Sequence, residues 1–278
     1  MHSRKITIGK CLMAVSVIVL LVVLLFPYVV MVLTALKPKS EVYAIPPHFL
    51  PKVWTPRNFI DIWEKVMLVN FITNTIFVAS LSTIIALICA IPAAYALARM
   101  RFKGSKAYLY MIIITQMFSP IVLLVGLYRI IGMFGLIDSL WGLVLVDAAF
   151  NQAFAVWILR GYFASIPYEL EQAAWIDGCS KWQALRKVLL PLSAPGIITA
   201  LIFVFIAAWN EFTVALTIMS TEELKPLTVG IYAFFGRYDI QWQYLFATSA
   251  IATVPVIVLF LLIEKHLISG LTAGGVKE

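Results

Sequence analysis

Residues 12–36 read LMAVSVIVLLVVLLFPYVVMVLTAL, 25 positions without one charged side chain. A helix rises about 1.5 Å per residue and a bilayer's hydrocarbon layer is roughly 30 Å thick, so this run is long enough to cross it. Six stretches of the chain qualify, at about 12–36, 71–97, 107–131, 140–159, 195–219 and 245–267. Arg4, Lys5 and Lys10 precede the first as they would a signal peptide, but the run is too long and no small-residue cleavage site follows. With 62% hydrophobic and 13% charged residues, the 278-residue chain has more apolar surface than one soluble core can bury. The chain is therefore expected to be an all-α integral membrane protein, one transmembrane domain over 1–278 with six spanning helices. Cys11, Cys89 and Cys179 have no paired spacing and read as ordinary thiols.

Basic loops are retained on the cytoplasmic side. Of the 21 basic residues, 13 share one side with only 5 acidic ones: Arg4, Lys5, Lys10, Arg99, Arg101, Lys103, Lys106, Arg160, Lys181, Arg186, Lys187, Lys265 and Lys277. The opposite loops and span ends hold 8 basic against 7 acidic residues. Both termini are thus expected in the cytoplasm. The net charge of +7 reads as topology and attraction to lipid headgroups, with no nucleic acid required.

Two external segments follow from this topology. Residues 37–70 are rich in Pro and aromatics (Pro46, Pro47, Pro51, Pro56, Trp54, Trp63), and residues 220–244 carry Tyr232, Phe234, Phe235, Tyr238, Trp242 and Tyr244. Such aromatics anchor a chain at the membrane interface, or form a surface that meets a soluble partner or a sugar ring.

The longest cytoplasmic connection, 161–194, is the most informative. Ser165 can cap a helix, Pro167 suits a first turn, and Glu169 and Glu171 place negative charge near the positive end of the helix dipole. The helix is predicted to run to about Asp177 with Leu170, Ala173, Ala174 and Asp177 on one face, until Gly178 lets the backbone leave. Ser180 and Gln183 then spell a capping box for a second helix, Lys181 to Leu190, with Trp182, Leu185 and Leu189 as its apolar stripe and Pro191 as its end. Two adjacent alanines at the tip suit insertion into a cleft on another protein; a plain helical connector is the simpler reading of shape alone.

The residues Glu171-Gln172-Ala173-Ala174-Trp175-Ile176-Asp177-Gly178, followed by Leu190-Pro191, resemble the EAA loop of ABC importer permeases. The final Ser269-Gly270-Leu271-Thr272-Ala273-Gly274-Gly275-Val276-Lys277 is similar to the tail of the smaller permease subunit of maltose-type importers. The resemblance covers nearly the whole chain. It implies the type I ABC importer permease fold, with a cytoplasmic coupling helix between the fourth and fifth spans. It also implies ATPase-coupling roles for Glu171, Gln172, Ala173, Ala174, Asp177, Gly178 and Pro191, and ATPase-contacting roles for Thr272, Gly274, Gly275 and Lys277. The implied partners are a homologous second permease subunit, two ATPase subunits, an extracytoplasmic solute-binding protein and membrane lipid; the implied solute is a sugar or oligosaccharide. No cofactor would be bound by this chain, since ATP and Mg would be used by the partner ATPase. The location implied is the bacterial or archaeal cytoplasmic (inner) membrane. One departure matters: the position six before the glycine, Glu in the family, is Gln172. Glu171 lies about 100° further round the helix and would take over a pairing with the ATPase only if the docked helix were rotated.

The chain has no Gly-x-x-x-x-Gly-Lys-Ser/Thr phosphate loop, so it is not itself the ATPase. Energy must come from a docked ATPase or from an ion gradient acting through intramembrane acids, as in a secondary transporter. Asp147 and Glu211 are those acids, each costing about 2.5 to 3.5 kcal/mol in a span unless it faces a polar interior. Under the importer reading, Gln116, Asp147, Asn151, Asn210 and Glu211, with Gln152 and Thr213, line or brace the path of a hydroxylated solute; hydrogen bonding between helices explains them equally well. Gln116, Ser119 and Pro120 mark an expected kink in the third span. His2, His48 and His266 are scattered, which leaves no metal site and no enzymatic constellation. Polyols and sugar phosphates are alternative solutes within the same resemblance.

Overall fold

In the computed structural model, residues 2–100, 102–236 and 239–273 are described, with side chains excepted at 2–8, 113, 263 and 265–273. Helix dominates because a backbone in lipid must satisfy its own hydrogen bonds. The described residues form no strand, only an isolated bridge between Phe235 and Ile240.

One compact unit holds residues 1–66 and 231–254. It contains α1 (His2–Ala35), α2 (Lys39–Val42), α3 (Asn58–Lys65), a 3₁₀ turn (Ile231–Phe234) and the start of α14 (Trp242–Ala273). From Leu12 to Val29 the large apolar side chains of α1 are half exposed or more, an all-round apolar surface suited to lipid or a partner helix. The Pro-rich segment after it is ordered by buried Asn58, whose Nδ2 donates to Ala35 O at 2.7 Å and Lys37 O at 2.9 Å. Lys39 pairs with Asp239, and the Tyr43 hydroxyl donates to Asp239 Oδ1 at 2.9 Å, joining the segment after α1 to the one before α14.

The second unit, 67–230 with 255–278, holds α4 (Leu68–Arg99), α5 (Ser105–Thr115), α6 (Pro120–Met133), α7 (Leu140–Ser165), α8 (Tyr168–Ile176), α9 (Lys181–Ala184), α10 (Leu190–Leu192), α11 (Ala194–Trp209), α12 (Thr213–Ile218) and α13 (Leu227–Gly230). Its centre is α4, which packs most extensively on α7 and then on α11. Ala86, Ala90 and Ala94 recur every four residues on α4 and are fully buried, so the neighbouring backbones approach closely. Hydroxyls on the same helix are satisfied internally: Thr75 donates to Phe71 O at 2.8 Å and Thr83 to Ala79 O at 2.6 Å.

The six expected spans are not all single continuous helices among the described residues. Among the described residues four helices are long and apolar enough to cross a membrane, within Gly9–Ala35, Leu68–Arg99, Leu140–Ser165 and Trp242–Leu262. A bent pair, Lys181–Leu192 with Ala194–Trp209 at 78°, makes a fifth if counted as one span. The expected third span is broken into α5 and α6 because Pro120 has no N–H, and Ser119 before it is extended at φ −66° and ψ 131°. The expected fifth span is interrupted between Trp209 and Thr213.

Candidate functional site

The connection over residues 161–194 folds as a helix, a glycine corner and a second helix. Pro167 stands at the N-cap of α8 without a side-chain cap. Ser165 does not cap it either, since its hydroxyl donates to Tyr162 O at 2.8 Å on α7. At the other end Gly178 adopts φ +85°, where only glycine is unstrained. Its N–H donates to Trp175 O at 3.0 Å and the N–H of Cys179 to Ala174 O at 2.9 Å, the paired bonds of a Schellman ending.

The capping box forms as read: Ser180 N donates to Gln183 Oε1 at 2.8 Å and Gln183 N to Ser180 Oγ at 3.3 Å. The second helix is not uniform, however. Residues Leu185–Leu189 make a π-helical turn ahead of Pro191, which has no N–H to continue the α ladder. Leu185 and Leu189 are buried, whereas Trp182, expected on the same stripe, is 62% exposed.

Burial divides α8 sharply. Gln172, Ala173, Asp177 and Gly178 face solvent, joined by Ile176 at 88% exposure. Ala174, expected beside Ala173 on the outer face, is buried at 7%. Glu171 is fully buried too, so its carboxylate is not presented outward. It accepts a hydrogen bond from the Tyr95 hydroxyl, and its Oε2 lies 3.4 Å from Arg99 Nε. That distance makes an ion pair without hydrogen-bond geometry. Arg99 also donates from Nη2 to Ile166 O at 2.7 Å and lies over the Tyr168 ring, 5.6 Å from its centroid. Tyr168 in turn meets Trp175 edge-on at 5.8 Å. The residues missed in sequence are therefore Tyr95, Arg99 and Ile176. The spacing of Tyr95 and Arg99, one helical turn apart at the end of α4, was the available signal.

The intramembrane polar residues are separately accounted for. Asp147 is buried at 2%, with Oδ2 lacking a hydrogen-bond partner among the described residues. Asn151 Nδ2 donates to Asp147 O at 2.8 Å along its own helix. Glu211 bridges the interruption after α11: its carboxylate accepts from Val214 N at 2.7 Å and Ala215 N at 2.9 Å, closing the N-terminus of α12. Asn210 is exposed and donates to Ile206 O at 2.8 Å. Gln116 sits in the break between α5 and α6 and donates to Phe150 O at 3.1 Å. Gln152, with its amide oriented as its partners require, donates to Ala86 O and accepts from Ala90 N, both at 3.0 Å. It clasps α4 to α7 rather than facing a cavity. Thr272 belongs to α14 by backbone alone, and Gly274, Gly275 and Lys277 lie outside the described residues.

Residues 82–272 match the family of binding-protein-dependent transport system inner membrane components. The chain is 37% identical over 269 residues to the sulfoquinovosyl glycerol transport system permease protein SmoH of Agrobacterium fabrum, covering 97% of this chain and 94% of that protein. It is 32% identical over 282 residues to the trehalose/maltose transport system permease protein MalG of Thermococcus litoralis, covering 99% of each. In three dimensions it is similar to a chain of a bacterial ABC transporter involved in the import of the acidic polysaccharide alginate. The TM-score is 0.80 at 23% identity, over 94% of this chain and 97% of that one.

Proposed function

The chain belongs to the family of binding-protein-dependent transport system inner membrane components, and on that footing we propose that it forms half of a carbohydrate path driven by an ATPase docked on α8. It is a membrane-spanning permease subunit of an ABC importer, not an enzyme in its own right. The observation that carries the docking reading is the uncovered outer face of α8. Gln172, Ala173 and Ile176 share one side of a nine-residue helix, Ile176 is 88% exposed at its tip, and none of the described residues covers that face. A cleft on a partner would cover it, and the small Ala173 would let the two backbones close together. Gln172 offers an amide in place of the charge usual at that position, so packing carries more of this contact than an ion pair does.

The solute class follows from chemistry that the relatives share. Sulfoquinovosyl glycerol and trehalose or maltose, named for SmoH and MalG, both present sugar hydroxyls. A polyol or a sugar phosphate is the alternative within the same chemistry. The solute would arrive from an extracytoplasmic binding protein, pass between this chain and a homologous second permease, and be released on the cytoplasmic side where both termini lie. ATP and Mg would be held by two ATPase subunits below, contacted additionally by the tail at Thr272, Gly274, Gly275 and Lys277. Closure of those subunits would displace α8, and the spans would rock to open the path outward; hydrolysis would return them. Of the intramembrane residues, Asn210, Gln116 and Asn151 are the ones with amides left to meet a solute. Glu211 braces the start of α12, whereas the Asp147 carboxylate is buried on α7 with Oδ2 unpartnered among the described residues.

The test is reconstitution into vesicles with both permeases, the ATPase and the binding protein. Uptake of a disaccharide is expected with ATP inside the ATPase compartment and none with an ion gradient alone. Uptake driven by a gradient in vesicles lacking the ATPase would overturn the reading in favour of a secondary transporter.

A further inference from the structure

The covalent link from the spans into α8 is a poor strut. Ile166 and Pro167, between α7 and α8, are extended at ψ 132° and ψ 133°, two non-helical residues about which a short helix can swing. A pull on α8 would then be lost in the elbow unless something stiffens it. The structure supplies a stiffener from a different helix. Arg99, the last residue of α4, holds α8 at two places, the Glu171 carboxylate and the Tyr168 ring, and the elbow itself at the Ile166 carbonyl. Tyr95, one turn earlier on α4, closes the carboxylate from the other side.

We propose that the buried Glu171–Arg99–Tyr95 cluster is the pin that makes α8 move as one body with α4, so that Glu171 and Arg99 are positioning residues of transport. Two features fit the cluster for load. The Glu171 and Arg99 side chains are 0% and 7% exposed, so parting them would leave opposite charges buried without compensation, and the pair resists separation more than a surface pair does. And α4 is the helix on which α7 and α11 pack, so its displacement is passed to the spans around it. The pin borders an open cavity of about 1330 Å³ that Phe102, Lys103 and Lys181 also line. The carboxylate of Glu171 therefore looks into the permease while its neighbour Gln172 looks out, and adjacent residues divide between holding and docking.

This inference rests on α8 being the ATPase contact, and the experiment separates the two. Glu171→Gln, Tyr95→Phe and the exchange Glu171→Arg with Arg99→Glu are compared with wild type in reconstituted vesicles. The readouts are ATPase capture and solute moved per ATP hydrolysed. Capture is expected to be unchanged in all of them, because the outer face is untouched. Solute per ATP is expected to fall about tenfold in Glu171→Gln, roughly the worth of one hydrogen bond to a charged group, and less in Tyr95→Phe. The exchange should recover part of the loss. A wild-type ratio in Glu171→Gln and Tyr95→Phe, or loss of capture in Glu171→Gln while Tyr95→Phe keeps a wild-type ratio, overturns the pin. Ile176→Arg is the control for docking: if it leaves capture intact, the docking reading fails instead.

Discussion

Gly178 offers the cleanest separation of backbone strain from packing. Its φ of +85° lies where an L side chain is strained, yet a Cβ built there meets nothing within 4 Å. Substitution therefore acts through conformation alone. Holding alanine in a left-handed conformation costs roughly 1–2 kcal/mol, and each 1.36 kcal/mol is a factor of ten. If the free hairpin relaxes out of the corner and docking restores it, that cost falls on docking. Gly178→Ala is then expected to weaken ATPase binding by about 5- to 30-fold, on the same estimate of strain. Gly178→Asn, whose side chain tolerates this region, should lose much less. Valine, β-branched, should lose most. The assay is titration of detergent-solubilised permease with labelled ATPase, alongside thermal melting of the permease to show that the spans are intact. Equal affinities for the alanine, asparagine and valine variants would refute the reasoning, because a steric or purely chemical effect would not order them by left-handed tolerance.

Other perturbations test the frame around the site. A Cβ at Gly230 would sit 2.2 Å from Cδ2 of the buried Phe71 ring, so Gly230→Ala is expected to destabilise the permease by about 1–3 kcal/mol, read as a lower melting temperature. Glu211→Ala removes the carboxylate that closes the start of α12 and should cost roughly 0.5–2 kcal/mol of stability, seen in the same melt. Asp138, with φ 56°, accepts from Ser220 N, Thr221 N and the Thr221 hydroxyl, which together hold its carboxyl below the ordinary value. Because the folded value is depressed, the stability difference between wild type and Asp138→Asn should be constant above the ordinary carboxyl range and vanish as pH falls through the depressed folded value.

Much of this was legible because membrane helices announce themselves by length and apolarity. Residues 12–36, 71–97 and 140–159 needed no more than that. Local chemistry was equally readable: the Ser180–Gln183 box and the turn at Gly178 depend only on neighbours in sequence. What hydropathy misses is interruption. Residues 195–219 read as one apolar run, yet the chain breaks at 210–212 and restarts under the carboxylate of Glu211, a bond that hydropathy averages away. The inward turn of Glu171 was hidden for another reason. A helical wheel gives angles between residues but not which angle faces the core. Here that choice is made by Tyr95, 76 residues earlier, and by Arg99. Family resemblance pointed to the whole motif as a docking surface; burial divides it into a face that meets a partner and a face that grips its own spans.

The exposed face of α8 is the quantity on which the account depends, and Ile176 is its most accessible probe. The measurement is co-purification of the ATPase with Ile176→Arg, against wild type and against Trp182→Ala as a neighbouring exposed site. A fully inserted Ile176→Arg permease that no longer retains the ATPase is the expected result. Undiminished retention of the ATPase by that variant, at wild-type stoichiometry, would contradict it.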